Sequence, residues 1–273
     1  MRTYGQYCPI ARASELLAER WTLIIVRNLL AGCGTFGELM DGAPGISRAL
    51  LTQRLALLEK YEIVTREFEP KGRVRCRYAL TERGRELCAV VQAVGEWGAR
   101  WLELEPHHTD PAYILFATSR LVDIDRAPSH GLVVRFDLAD SPRRRYWLLV
   151  RPPRAEVCTS YPGRPEDLVV HTRGEVLARC HLRHTTFAQA EHSGLLEIDG
   201  PRPAVRAFLG CLRPSPFAHV TPAPRPPGPP LGGPPTVRDR RDDEDVDPDG
   251  DVAAPSGPTT SARSAALTGR GNT

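Results

Sequence analysis

Two sets of side chains in this 273-residue sequence have types and spacings that can do chemistry. The first is polar and basic: Ser47, Arg48, Thr52, Gln53 and Arg54, gathered within eight positions. Gln can pair with the edge of adenine and Arg with that of guanine. Ser47 and Arg48 fall where a helix begins, and unpaired N–H groups with positive charge favour a phosphate there. Lys71, Arg73 and Arg75 follow as a second basic cluster, suited to a phosphate backbone or minor groove. The second set is sulfur. Seven cysteines, at 8, 33, 76, 88, 158, 180 and 211, are odd in number, scattered and without a C-x-x-C pair. That pattern reads as reduced thiols of a cytoplasm rather than a disulfide framework. Cys8 precedes a helix start at Pro9, where the helix dipole can lower a thiol pKa. Cys180, His181, His184 and His192 lie close together, but Cys-His-x-x-His is no zinc spacing, so no metal is expected. With no Walker loop, H-E-x-x-H or G-x-S-x-G, neither catalytic residues nor a cofactor are expected.

These residues need elements to hold them. Pro9 suits the first turn of a helix running through Leu16-Leu17. A second helix spans about Arg20 to Ala31 and is stopped by Gly32. Thr35 and Glu38 form a capping box for a short third helix, which must end in the turn Asp41 to Gly45. Ser47 then caps a helix through Lys60, with Leu51, Leu55 and Leu58 on its inner face. Helix, glycine-containing turn and helix make a helix-turn-helix, although an ordinary helical hairpin has the same pattern. Residues 63–68 and 73–80 read as two strands turned at Pro70-Lys71-Gly72, the wing of a winged helix. From Arg48 to Arg85 ten Lys and Arg face five Glu, a basic footprint in a chain of net charge +3. Thr81 caps a longer helix with apolar residues at 87, 90, 94, 97, 101 and 104, a 3.5-residue period that suits a dimer seam. Intramolecular packing accounts for part of that face, and Gly95 and Gly98 would let a neighbouring helix come close.

Farther along, 132–138, 146–150, 167–170 and 195–198 read as strands, and 174–180, 187–192 and 204–212 as helices. From Pro214 onward the chain holds 13 of its 26 prolines, and a disordered tail is expected. The fold class is therefore α+β: a winged helix-turn-helix domain at 1–105, a small sheet domain at 110–213 and a Pro-rich tail at 214–273. Composition is ordinary for a globular protein, 41% hydrophobic and 25% charged. The 34 Arg against 2 Lys reflect a GC-rich genome more than guanidinium chemistry. The apolar runs, such as 21–26, are too short to span a bilayer, and the first residues lack the apolar core of a secretory signal.

Several of these motifs carry a family resemblance. Cys8-Pro9-Ile10-Ala11-Arg12-Ala13, Glu19-Arg20-Trp21-Thr22-Leu23, Phe36-Gly37-Glu38-Leu39 and Gly45-Ile46-Ser47 resemble the HxlR-type winged helix-turn-helix regulators. So do Leu51-Thr52-Gln53-Arg54-Leu55 and Tyr78 to Gly84; together they cover about residues 5–104. One departure is Tyr61-Glu62-Ile63, where a glycine usually leads into the strand. The resemblance implies a bacterial dimeric transcription factor that places its second helix-turn-helix helix in the major groove of double-stranded DNA, and the reading drawn from the whole sequence is a cytoplasmic, homodimeric repressor. The resemblance also makes Cys8 a candidate redox sensor. The order Asp167-Leu168-Val169-Val170, Ala188-Gln189-Ala190 and Glu197-Ile198-Asp199-Gly200 is similar to the sterol-carrier-protein type-2 domain over about 110–212. That likeness implies a sheet with helices around an apolar tunnel for a small apolar ligand. It departs at 179–184, where such domains usually carry an apolar residue and a glycine. The competing expectation is a lipid or small-molecule carrier that uses the winged helix only to dimerise.

Overall fold

A computed structural model describes residues 3–68, 76–141, 143 and 145–224. Helix α1 (Pro9–Leu17) opens on its proline, and α2 (Thr22–Leu30) follows a turn in which Trp21 is left-handed, φ 79°. The capping box forms as the sequence predicts: Thr35 Oγ1 accepts from Glu38 N at 3.2 Å, and the Glu38 carboxylate accepts from Thr35 N at 2.9 Å. It starts α3 (Phe36–Asp41), and α4 (Arg48–Lys60) starts at Ser47. Strands β1 (Val64–Phe68) and β2 (Cys76–Leu80) pair antiparallel with Val64 opposite Leu80. The 20-residue α5 (Glu82–Trp101) follows a Thr81 cap. Ile25, Val26, Leu39, Leu51, Leu55 and Leu58 fill the first apolar core.

Gly84 is required where α5 leaves the wing. A Cβ there would stand 2.1 Å from the Ile63 carbonyl oxygen, which belongs to backbone and cannot move aside. This close approach lets Thr81 donate its hydroxyl to Glu62 O at 2.6 Å and its N–H to Ile63 O at 3.0 Å.

The second core begins with α6 (Pro111–Arg120), capped by Asp110 and carrying proline in its first turn. Strands β3 (Leu132–Leu138), β4 (Arg145–Arg151), β5 (Arg154–Cys158) and β6 (Leu168–Thr172) come next. After them come α7 (Gly174–His181), α8 (Phe187–His192), β7 (Glu197–Asp199) and α9 (Arg202–Cys211). The sheet order is β5-β4-β3-β6-β7, with β3 and β6 parallel and the other pairs antiparallel. Alternation along β3 and β4 sends Val134, Phe136, Leu138 and Leu148 into a core with α6, α7 and α9. Val133, Trp147 and Leu149 form a smaller cluster on the opposite face. The rings of Phe136 and Phe208 meet edge-on at 6.1 Å.

Four expectations change. Helix α6 and strand β5 were not foreseen: β5 is a polar edge strand with little apolar alternation, and α6 has the Asp110-Pro111 start signal without an amphipathic run as clear as its neighbours'. Residues 214–224 are not a disordered tail; Ser215 and Val220 are buried, and Ala223 N donates to Arg100 O at 2.7 Å. The remainder of the expected tail lies outside the described residues. Gly95 receives no neighbouring helix: a Cβ there would fall 2.2 Å from Cζ of Phe217, so the returning segment occupies the notch. The apolar line of α5 also divides. Leu87 packs on the first core and Leu104 on the second, while Val90, Val94, Trp97 and Trp101 stay exposed, the last three more than half.

The two cores lie within one compact unit, Met1–Pro224, and meet through charged side chains on α2, α3 and α6. Arg120 ion-pairs with Glu38 at 3.6 Å and donates to Ala31 O, while the Arg27 guanidinium lies 5.1 Å over the Tyr113 ring. Phe116 of α6 packs on the first core.

Glu62 occupies the left-handed region, φ 56°, in the turn where the resemblance leads one to expect glycine. An L residue costs roughly 1–2 kcal/mol there, and glycine recovers most of it against its own added chain entropy. Glu62→Gly is therefore expected to raise stability by about 0.5–1 kcal/mol, read as a higher urea midpoint at unchanged m value.

Candidate nucleic-acid interface

Helix α4 has two faces. Leu51, Leu55 and Leu58 are at most 1% exposed, whereas Arg48, Thr52 and Gln53 are exposed. Burying each leucine is worth about 1.5–3 kcal/mol, so the rotation of the helix about its axis is strongly set. Ser47 Oγ accepts the Leu50 N–H at 3.2 Å and closes the helix start. The remaining first-turn N–H groups have no intrahelical acceptor and leave a partial positive charge at this end. Arg48 stands beside it, its guanidinium 5.8 Å over the Phe36 ring of α3. Among the described residues Arg48 makes no ion pair. Thr52 spends its hydroxyl proton on Arg48 O at 3.0 Å, which leaves its oxygen as an acceptor.

Arg54 departs from the expected outward role. Its Nη2 lies 2.6 Å from the Glu19 carboxylate and its Nε donates to Arg20 O at 3.1 Å, with the side chain only 13% exposed. It fastens α4 to the turn that holds the left-handed Trp21, so its guanidinium is occupied inside the fold. Lys71, Arg73 and Arg75 lie outside the described residues. The basic footprint is thinner than its residue count. Arg66 pairs with Glu59 at 3.1 Å, Arg83 with Glu62 at 3.3 Å, and Arg85 donates to Leu80 O at 2.8 Å. Three of the cations in that stretch, Arg54, Arg66 and Arg83, are thus ion-paired, while Arg48, Lys60 and Arg77 make no ion pair among the described residues.

Cys8 sits at the N-cap of α1, half-buried, and its side chain makes no capping hydrogen bond. Cys180 and His181 belong to no group of three or more ligating side chains among the described residues. Burial pushes the Cys180 thiol up to about 11 and the His181 imidazole down to about 4. No described helix is long and apolar enough to cross a membrane. Arg27, Tyr113 and Arg120, which tie the second core to the first, were not singled out in the sequence. Their signal was the Asp110-Pro111 helix start, which would have placed Tyr113 and Arg120 on one helix.

Arg54→Ala is expected to act on stability rather than on recognition. Loss of a charged hydrogen bond and its partly buried pair should cost about 1–2 kcal/mol in chemical denaturation. Nucleic-acid affinity, corrected for the folded fraction, should change less than in Gln53→Ala.

Comparison with known proteins finds relatives for the first hundred residues. Residues 16–106 match the family model of the HxlR-like helix-turn-helix. The chain is similar to an uncharacterized HTH-type transcriptional regulator of Synechocystis sp., sll1512, with 40% identity over 101 residues, 37% of this chain and 75% of that protein. It is also similar to the HTH-type transcriptional regulator YodB of Bacillus subtilis, with 38% identity over 97 residues, 35% of this chain and 87% of that protein. Among solved structures, the reduced form of YodB from B. subtilis matches with 37% identity and a TM-score of 0.31, covering 34% of this chain and 92% of that one. The relatives are transcriptional regulators whose matching lengths are confined to about a third of this chain. With α4 exposing a polar face beside a two-stranded wing, the chain belongs to the HxlR-like helix-turn-helix family of DNA-binding transcriptional regulators.

Proposed function

We propose that this protein is a homodimeric, cytoplasmic repressor that binds operator DNA through α4 and its wing. The observation that carries the reading is the division of α4, with a buried leucine stripe opposite exposed Arg48, Thr52 and Gln53. In this reading the Ser47 end of α4 meets a phosphate, Arg48 supplies the charge beside it, and Thr52 and Gln53 address base edges. Arg54 holds α4 in place from behind. Lys71, Arg73 and Arg75 follow the backbone or minor groove from the wing. Repression follows from occupancy, because a dimer across two half-sites covers promoter DNA.

The dimer is supported by α5. Val94, Trp97 and Trp101 are exposed at 51, 58 and 57% on one helix, with Tyr7 and Ile10 also bare near the start of the chain. Apolar surface of that extent on an ordered helix marks an interaction site. Residues 110–213 form the appended domain, and the sterol-carrier resemblance is supported by its five-stranded sheet with helices packed on one face. A 210 Å³ cavity lined by Leu115, Phe136, Leu177, Phe187 and Leu209 gives that domain room for a small apolar ligand. Cys8 is the thiol for redox control, on the strength of its half-buried place at a helix start. The carrier alternative is favoured by the same cavity, and it predicts a co-purifying lipid together with no affinity for DNA.

Fluorescence anisotropy with DNA from upstream of the protein's own gene tests the regulator reading. Affinity should survive unrelated competitor and fall steeply with salt, with a log–log slope of about −0.9 for each phosphate neutralised. Arg48→Ala combined with Gln53→Ala should weaken specific binding by about 10- to 1,000-fold. A flat salt response would rule out the phosphate contacts.

Sedimentation velocity tests the seam independently. Trp97→Asp with Trp101→Asp should convert dimer to monomer and weaken DNA binding. A dimer that survives both changes places the interface elsewhere.

A further inference from the structure

A second cavity, of about 530 Å³, lies where the two cores meet, and His181 lines both it and the smaller one. Its walls come from α2, α5, α6 and α7, and the returning segment at Ser215 to Phe217 closes one side. The surface is chiefly apolar, through Leu30, Val91, Phe116, Ala117 and Phe217. Volumes of this size hold a compact small molecule.

The polar groups along the walls define the ligand. Arg27 donates to Gly42 O at 2.7 Å and to Asn28 Oδ1 at 2.9 Å, and Arg120 is engaged by Glu38 and Ala31 O. Gln92 donates to Glu96 at 2.8 Å, and the Asn28 amide lies against Gly42 with its Nδ2 a buried donor that has no hydrogen-bond partner among the described residues. Both guanidinium groups are thus occupied, and an anion finds no free cation. His181 differs. Thr118 Oγ1 spends its single proton on Ile114 O at 2.8 Å, so at 3.2 Å it must accept from His181 Nδ1–H. That fixes the tautomer and leaves Nε2 with a lone pair. The imidazole is neutral at pH 7, because burial lowers its pKa to about 4.

We propose that this cavity is an effector site for a neutral, largely apolar small molecule bearing a hydroxyl that donates to His181 Nε2. Its regulatory consequence rests on the DNA-binding reading above. The cavity meets α5 at Val91, one turn from Val94 on the bare face, while Phe217 of its wall fills the Gly95 notch. A ligand seated there braces α5 against α2 and α6. It thereby changes how the exposed face of α5 meets a second copy, and with it the spacing of the two α4 helices.

The test uses the full chain with 2-naphthol as probe and naphthalene as the analogue lacking the hydroxyl, titrated by fluorescence without DNA. One saturable site per chain is expected, with 2-naphthol preferred by about 10-fold, the worth of one well-made hydrogen bond. His181→Phe should bring the two probes within about 2-fold of each other, as expected when the acceptor is lost. Ala117→Trp should weaken both by more than about 10-fold by filling the cavity; Gln92→Trp, placed from the surface, checks this if Ala117→Trp fails to fold. In anisotropy, 2-naphthol should shift the DNA affinity of the unaltered chain and leave that of the filled variant unchanged. Absence of saturable binding, undiminished binding in both filled variants, or a hydroxyl preference kept in His181→Phe overturns the site. Probe binding without any effect on measurable DNA affinity overturns the effector role. Because the probe is titrated without DNA, failure of DNA binding itself is read separately.

Discussion

Burial of Leu51, Leu55 and Leu58 against Ile25, Val26 and Leu39 governs much of what this protein presents to its surroundings. The three leucines share one side of α4, so their transfer from water sets the rotation of the helix. Rotation in turn decides that Arg48, Thr52 and Gln53 face out. Arg54 enforces the same geometry by bonding to the Glu19–Arg20 turn, where a bulky residue holds a left-handed backbone. Recognition by such a helix depends on a rigid support, because hydrogen bonds to base edges tolerate little misplacement.

The long helix α5 carries a different burden. It packs on the first core through Leu87 and Val91, accepts Phe217 at Gly95, and leaves Val94, Trp97 and Trp101 uncovered. One element therefore borders the DNA-binding core, the junction cavity and the apolar face. The polar contacts across the junction are few, made by Arg27, Arg120 and Glu38 around Tyr113 and the Ala31 carbonyl, beside the apolar walls of the cavity. Interfaces of that kind permit small relative shifts more readily than a dry hydrophobic core does.

Local signals carried well in the first hundred residues. The Thr35–Glu38 capping box, the Ser47 cap and the Thr81 cap all depend on atoms within three or four residues, and each forms as read. The leucine stripe of α4 was legible because helical periodicity is itself local. Arg54 was not, since its partners lie 34 and 35 positions earlier and no spacing rule connects them. The same holds for residues 214–224: their prolines argued for disorder, yet long-range contacts with α5 and α7 give them places to bury Ser215 and Val220. Strand β5 is polar enough to pass for a loop until β4 offers it a partner.

The amino-acid order by itself determined the helix starts, the hydrophobic faces and the winged helix-turn-helix motif, because caps and periodicity act over a few residues. Tertiary structure alone decided which arginines are free to meet DNA, which glycine receives a ring, and where the two cores leave a cavity. Those outcomes depend on pairings between residues far apart in the chain, whose energies arise only once distant surfaces have been brought together and desolvated.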